Sequence, residues 1–209
     1  ESAYAINRGE MPNLEGVSEE FSFIPVKSYD MMMKAIIDVY KREQETLEDE
    51  LDIQIISPMR RGEAGSTLIS QYVQQAVNPP DSYKGEARVN GMTYRVGDKV
   101  IQILNDYELE VFNGEIGVIY AITRTDIYIR FIHKEVRLPI DEAHMIMPAY
   151  AITVHKSQGS EYGVVIIPFV PRYGGMLQRN LLYTAVTRAK RKVIIVGTAS
   201  AVERAVRTV

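Results

Sequence analysis

Apolar and polar positions follow two textures along this chain. Over residues 1–80 short apolar runs alternate with helical stripes. Residues 3–7 read as the last turns of a helix that Gly9 and Pro12 stop. Residues 21–26 read as a strand. Ser28 then offers an N-cap, and Met32, Ala35, Ile36, Val39 and Tyr40 recur on one helical face, which favours core packing over a pliable methionine surface. The acidic run over residues 43–52 reads as the solvated end of that helix. Residues 52–57 form a buried-strand pattern, stopped by Pro58. Ser66 is placed to cap a second helix carrying Leu68, Ile69, Tyr72, Val73, Ala76 and Val77, which Pro79 and Pro80 end. Strand, helix, strand, helix predicts an α/β domain with a parallel sheet.

From about residue 88 to 147 the texture becomes short β-like runs, at residues 99–104, 116–123, 127–132 and 135–140. Turn signals at Gly97-Asp98, Asn113-Gly114 and Thr125-Asp126 separate them. This predicts a small all-β barrel inserted into the α/β domain. The α/β pattern resumes after Pro148: a buried strand over 163–169, a helix over 176–190, a buried strand over 192–197, and a last helix from Ser200, with Glu203 at capping-box spacing. The expected division is residues 1–86 with 148–209 as one discontinuous domain, and residues 87–147 as the barrel.

Charge changes this picture more than composition does. The net charge over 209 residues is only −3, but residues 151–209 hold nine basic side chains against two acidic ones, Glu161 and Glu203. Such a basic end on an acidic protein marks a polyanion site, nucleic acid or nucleotide phosphate, or else solvated surface cations. With no Cys there is no disulfide framework, thiolate metal site or Cys nucleophile, and His133, His144 and His155 are too scattered for a metal cluster. The longest apolar runs fall far short of the roughly 20 residues of a membrane span. The opening at Glu1, without Met or signal pattern, reads as a piece of a longer cytoplasmic protein with no membrane partner.

Three segments carry candidate chemistry, each beside a buried strand, where α/β folds place ligand sites. In Ser57-Pro58-Met59-Arg60-Arg61-Gly62 two guanidinium groups leave a strand together, suited to phosphate oxygens or simply exposed at a strand exit. In residues 150–161, His155, Lys156, Ser157, Gln158, Gly159 and Ser160 follow one another, more polar donors than a structural loop needs and fitting for a phosphate backbone. In residues 179–190 a core stripe of Leu181, Leu182, Ala185 and Val186 leads to Arg188, either a phosphate ligand or a helix-end cap.

Order and spacing make the set specific. T-V-H-K-S-Q-G-S-E followed by L-Y-T-A-V-T-R-A-K resembles motifs V and VI of superfamily 1 helicases, and P-M-R-R-G resembles motif IV of the RecD/TraA branch, whose members include the exodeoxyribonuclease V alpha subunit. The stretch G-D-K-V-I-Q-I-L-N-D-Y-E-L-E-V-F-N-G-E-I-G is similar to the small SH3-like barrel inserted there, and A-I-N-R-G with Pro12 to the segment after motif III.

The resemblance implies an α/β fold with a RecA-like, P-loop-NTPase-type parallel sheet: the second motor domain of an ATP-driven, 5′-to-3′ DNA helicase, with its inserted barrel, working in repair and recombination. No G-x-x-x-x-G-K-[ST] and no Gly-Lys pair occurs, so the phosphate cradle and the Mg²⁺ ligands are expected in a separate N-terminal RecA-like domain, and the chain alone is expected not to hydrolyse ATP. By resemblance Arg188 is the arginine finger and Arg60 a contact to the same phosphate, with Arg61 as the off-by-one choice. Gln158, Gly159 and Glu161 lie on the nucleotide side, and Thr153, His155, Lys156 and Ser157 on single-stranded DNA. Expected partners are single-stranded DNA, that N-terminal domain and subunits of a recombination nuclease, with ATP and Mg²⁺ as ligands of the whole protein. Arg124, Arg130, Lys134 and Arg137, and the aromatics Tyr94, Tyr107, Phe112, Tyr120, Tyr128 and Phe131, are either a strand path on the barrel or its surface and core. Two other readings stand beside the motor: a non-motor single-stranded nucleic-acid-binding module, and the helicase part of a conjugative relaxase.

Overall fold

The computed structural model describes residues 1–16 and 18–209 and resolves into two compact units, Glu1–Ile69 with Ala151–Val209, and Ser70–Tyr150. In the first unit five parallel strands form one sheet in the order β1-β12-β11-β2-β10, from β1 (Phe21–Pro25), β2 (Ile53–Ser57), β10 (Ala151–Thr153), β11 (Tyr162–Phe169) and β12 (Ala189–Gly197). Every residue of β2 and β11 is buried, which explains their unbroken apolar runs: a parallel sheet covered on both faces has no polar side. Helix α2 (Tyr29–Gln44) packs against β2, β11 and β12, and α5 (Arg179–Val186) against β11 and β12, with α1 (Ser2–Arg8) and α6 (Ala199–Arg207) on α5. The Ser28 hydroxyl accepts the Met31 N–H at 3.2 Å, so the expected cap of α2 is present, with Met32, Ile36, Val39 and Tyr40 buried beneath it.

Several local expectations are corrected. The last helix starts at Ala199 with Thr198 as its cap, accepting from Ala201 N–H at 3.2 Å, rather than at Ser200. The helix expected over 176–190 is only α5, because the backbone is extended at Gln178 (φ −125°, ψ 149°) just before it and the chain turns again at Thr187. Ser66 opens α3 (Ser66–Val77) rather than capping it, and Tyr72 is 48% exposed while the polar Ser70, Gln74 and Asn78 are buried.

The second unit shows why those polar residues turn inward. Its five antiparallel strands lie in the order β8-β7-β6-β5-β9, from β5 (Lys99–Gln102), β6 (Ile116–Ile122), β7 (Asp126–Phe131), β8 (Glu135–Pro139) and β9 (Ile146–Pro148), beside a β3–β4 hairpin (Glu86–Val89, Met92–Arg95). Burial alternates along β7 and β8, with Ile127, Ile129, Phe131, Val136 and Leu138 in the core. Asp98, 2% exposed, accepts hydrogen bonds from Gln74 Nε2 (2.6 Å), Asn78 Nδ2 (2.8 Å), Arg95 N–H (2.7 Å) and the Tyr150 hydroxyl (2.9 Å). Burial pushes its carboxyl above the ordinary range against the pull of those donors. Through Gln74 and Asn78 the later part of α3 belongs to this unit, so the division falls inside α3 and not at residue 87. No helix among the described residues is long and apolar enough to cross a membrane.

Candidate functional site

Because the five strands are parallel, residues that follow a strand and residues that precede one lie at opposite edges of the sheet. At the carboxyl edge β2 ends in Ser57, whose hydroxyl donates to the carbonyls of Ala64 and Met59, both at 3.1 Å. The buried Tyr173 hydroxyl donates to the same Ala64 carbonyl at 2.8 Å. The loop then folds onto the start of α3, with Ser66 N–H bonded to Met59 O and Thr67 N–H to Arg60 O at 2.9 and 3.2 Å. Gly65 permits this: a Cβ there would stand 2.5 Å from the carbonyl oxygens of Arg60 and Arg61. The loop holds Arg60 and Arg61 outward, exposed and without a carboxylate partner among the described residues. Glu63 in the same loop pairs with Arg172.

Thr153 closes β10 opposite Ser57 in register and caps a short helix α4 (Val154–Ser157), accepting the Lys156 N–H at 3.3 Å. His155 is exposed and Lys156 half-buried. Ser157, expected on a bound strand, is instead fully buried with its hydroxyl donating to Val154 O at 2.6 Å, so it supports the turn from inside. The chain next passes through exposed Gln158, Gly159 (φ 82°) and Glu161 to the start of β11.

That passage crosses the sheet from edge to edge. Ile55 pairs with Ala151 on one side and Ile166 on the other, so Thr153 lies two residues above that level and Tyr162 four below it. At about 3.3 Å per residue the two ends are about 20 Å apart along the strands. Arg188 belongs to the lower end: its carbonyl accepts the Tyr162 N–H at 2.9 Å, immediately before β12. The structure therefore brings Arg188 together with Ser160 and Glu161, and brings Arg60 and Arg61 to the end of Thr153. Arg60 thus follows a strand at the carboxyl edge, whereas Arg188 precedes one at the amino edge.

At the amino edge four cations fall within five residues. Arg191 pairs with Asp52 at 2.8 Å, Lys190 with Asp52 at 3.6 Å, and Lys192 with buried Glu43 at 2.8 Å. Arg188 has no carboxylate partner among the described residues. Its half-buried guanidinium rests on long bonds to Thr184 O (3.2 Å), Ser160 O (3.3 Å) and Thr187 Oγ1 (3.4 Å). An open groove of about 860 Å³ runs along this edge, with Val186, Ala189, Lys190 and Lys192 among its walls. The acidic run over 43–52 is thus not merely solvated, since its two end carboxylates neutralise the neighbours of Arg188. Burial pushes the Asp52 carboxyl up, but the Gly163 N–H, the Arg191 guanidinium and Lys190 together hold it below the ordinary carboxylate range. Asp52 and Gly163 were not singled out from the sequence, because 111 residues separate them.

On the second unit Arg130 pairs with Glu135 and lies over Tyr120, Lys134 with Glu110, and Arg137 with Asp126. Tyr94 and Phe131 are core, while Tyr107 and Phe112 are exposed and meet edge to face at 6.0 Å. Among the described residues no group of three or more His, Asp or Glu is placed to hold a metal ion.

Residues 148–196 match the family model of the UvrD-like helicase C-terminal domain, and residues 69–131 that of the ATP-dependent RecD-like DNA helicase SH3 domain. The fold and these matches define a C-terminal helicase domain of superfamily 1 together with an SH3-type domain. Among curated proteins, the ATP-dependent RecD2 DNA helicase of Deinococcus radiodurans is 36% identical over 149 residues, 71% of this chain and 20% of that protein. The RecBCD enzyme subunit RecD of Mycobacterium tuberculosis (strain H37Rv) is 38% identical over 114 residues, 53% of this chain and 19% of that protein. The chain belongs to the RecD-type superfamily 1 helicases, corresponding to their C-terminal part and to about a fifth of the length of these relatives. A fainter likeness, at 18% identity and a TM-score of 0.49, runs to the Pif1 helicase from Bacteroides, over 86% of this chain and 47% of that one.

Proposed function

We propose that this chain is the part of an ATP-driven, 5′-to-3′ DNA helicase that completes the nucleotide site from one edge of its parallel sheet and holds single-stranded DNA at the other. The observation that carries the proposal is Arg188, the one cation of residues 188–192 without a carboxylate among the described residues, poised on weak acceptors beside Glu161. An unneutralised, half-buried guanidinium binds an anion without first breaking an ion pair. In this reading Arg188 is the arginine finger, meeting negative charge that develops on the γ-phosphate of ATP held by an N-terminal RecA-like domain. Glu161, Gln158 and Gly159 face the nucleotide, Mg²⁺ is held by residues outside this chain, and the chain alone turns over no ATP.

At the carboxyl edge Thr153, His155 and Lys156 contact the phosphates of the strand. In this reading Arg60 and Arg61, exposed at the same end of the sheet, join them there. The single segment from Thr153 to Glu161 touches both edges, so a shift at one ligand is carried to the other. Repair and recombination, with nuclease subunits as partners, is the setting this reading implies.

The two edges are tested separately in the full-length protein. Arg60→Ala and Lys156→Ala are expected to weaken binding of an oligo-dT strand and to lower the salt dependence by about one counterion each. Arg188→Ala is expected to leave both unchanged. Loss of strand binding on Arg188→Ala but not on Lys156→Ala would reverse the assignment of the edges.

A further inference from the structure

The pairing of β11 with β12 is irregular where it matters most for Arg188. Tyr162 pairs with Ala189 and Val164 with Lys192, so Lys190 and Arg191 both stand against Gly163. This is a β-bulge, a device that re-aims the neighbouring chain. Asp52, just before β2, closes it from the other side of β11. Its Oδ1 accepts the Gly163 N–H at 2.8 Å, its Oδ2 accepts from Arg191 NH2 at 2.8 Å, and Lys190 Nζ lies 3.6 Å away. Gly163 leaves the carboxylate room: a Cβ there would collide with Asp52 Oδ2 and stand 2.5 Å from Arg191 NH2. One residue before this clamp Tyr162 N–H holds the Arg188 carbonyl, and two residues before that Ser160 O holds the Arg188 guanidinium.

We propose that Asp52 is a positioning residue for Arg188: by clamping Gly163 and Arg191 across the bulge it sets the direction in which the Arg188 guanidinium leaves the sheet edge. The inference rests on the reading of Arg188 as the arginine finger. Asp52 touches no phosphate. It fixes the two segments, residues 160–163 and 188–191, between which the guanidinium is held. It also occupies Lys190 and Arg191, which would otherwise compete with Arg188 for the same anion. Without the carboxylate the bulge relaxes, and Arg188 reaches its target with the wrong aim.

The test uses the full-length protein as wild type, Asp52→Ala, Arg188→Ala and the double variant. Each is titrated with a fluorescent ADP analogue in the presence of oligo-dT, with and without aluminium fluoride as a stand-in for the transferring phosphoryl group. Asp52→Ala is expected to weaken the fluoride-dependent complex about 10- to 100-fold, the scale of a misplacement of about 1 Å, and to leave affinity for the ADP analogue alone within about twofold. In the Arg188→Ala background Asp52→Ala should add no further loss, the mark of two residues acting as a unit. Losses that multiply in the double variant overturn the inference while the arginine finger stands. An Arg188→Ala protein whose fluoride-dependent complex is unchanged removes the arginine finger, and the inference falls with it. Asp52→Asn, which keeps an oxygen for the Gly163 N–H, guards against a folding artefact. It should show an intermediate loss of the fluoride-dependent complex with a thermal midpoint lowered by less than in Asp52→Ala, and equal loss of both complexes in that variant contradicts a positioning role.

Discussion

The clamp at the amino edge makes Gly163→Ala an informative perturbation. Ala avoids no strained backbone here, so the cost comes from contact alone: the added Cβ would stand 2.7 Å from Asp52 Cγ and 2.5 Å from Arg191 NH2, and the carboxylate must swing away. The protein then loses a charge-assisted bond from a backbone N–H, about 1.5–3 kcal/mol when well made and nearer the low end for a partly exposed carboxylate. The ion pairs to Arg191 and Lys190, both cations more than half exposed, add at most about 1 kcal/mol. Against this, Ala restricts the unfolded chain, regaining about 0.4–1 kcal/mol. The net is a destabilisation of about 1–3 kcal/mol, or a few degrees in melting temperature for a chain of this size. Urea unfolding followed by circular dichroism measures it, in wild-type and Asp52→Ala backgrounds. With the carboxylate gone the Cβ has room, so Gly163→Ala should cost nearly nothing there. An equal cost in both backgrounds would refute the clamp.

Three further outcomes follow from named contacts. Because Asp52 titrates below its ordinary value of 3.8 when folded, its stabilisation is full above the unfolded value and is lost as pH falls through the lower folded one. The stability gap between wild type and Asp52→Asn should therefore be present at pH 7 and shrink below about pH 4 in urea titrations at stepped pH. Tyr173→Phe removes the hydroxyl on Ala64 O while Ser57 still donates there, so the cost should stay near 1 kcal/mol, with faster amide exchange at Ser66 and Thr67 as the Arg60 loop loosens. Asp98→Ala strands four donors in the second unit and should cost about 3 kcal/mol or more, a loss that thermal unfolding would reveal.

Much of the fold is readable in the chain because its central strands are covered on both faces. The runs that became β2, β11 and β12 have no alternation to mislead. The three-residue β10 is too short to carry a period, and the β3–β4 hairpin passed unread although Asn90-Gly91 at its turn, with φ of 52° and 77°, is the signal that marks one. Tyr72 looked like core because helical spacing assigns a face without saying where the face ends. In the site, the polar run over 153–161 and Arg188 were legible as a resemblance. For Arg60 and Arg188 the sequence carries one further cue, the strand order: Arg60 follows a parallel strand and Arg188 precedes one. Glu43 and Asp52 were hidden for another reason, since their partners Lys192 and Gly163 lie 149 and 111 residues away.

Arg188 joins the two halves of the proposed nucleotide site, and its role is read out by DNA-stimulated ATP turnover of the full-length protein. With Arg188→Ala, turnover at saturating ATP and oligo-dT should fall by about 10³-fold or more, the range for a missing arginine finger, while strand binding persists. Turnover within a few-fold of wild type would show that Arg188 is not the arginine finger.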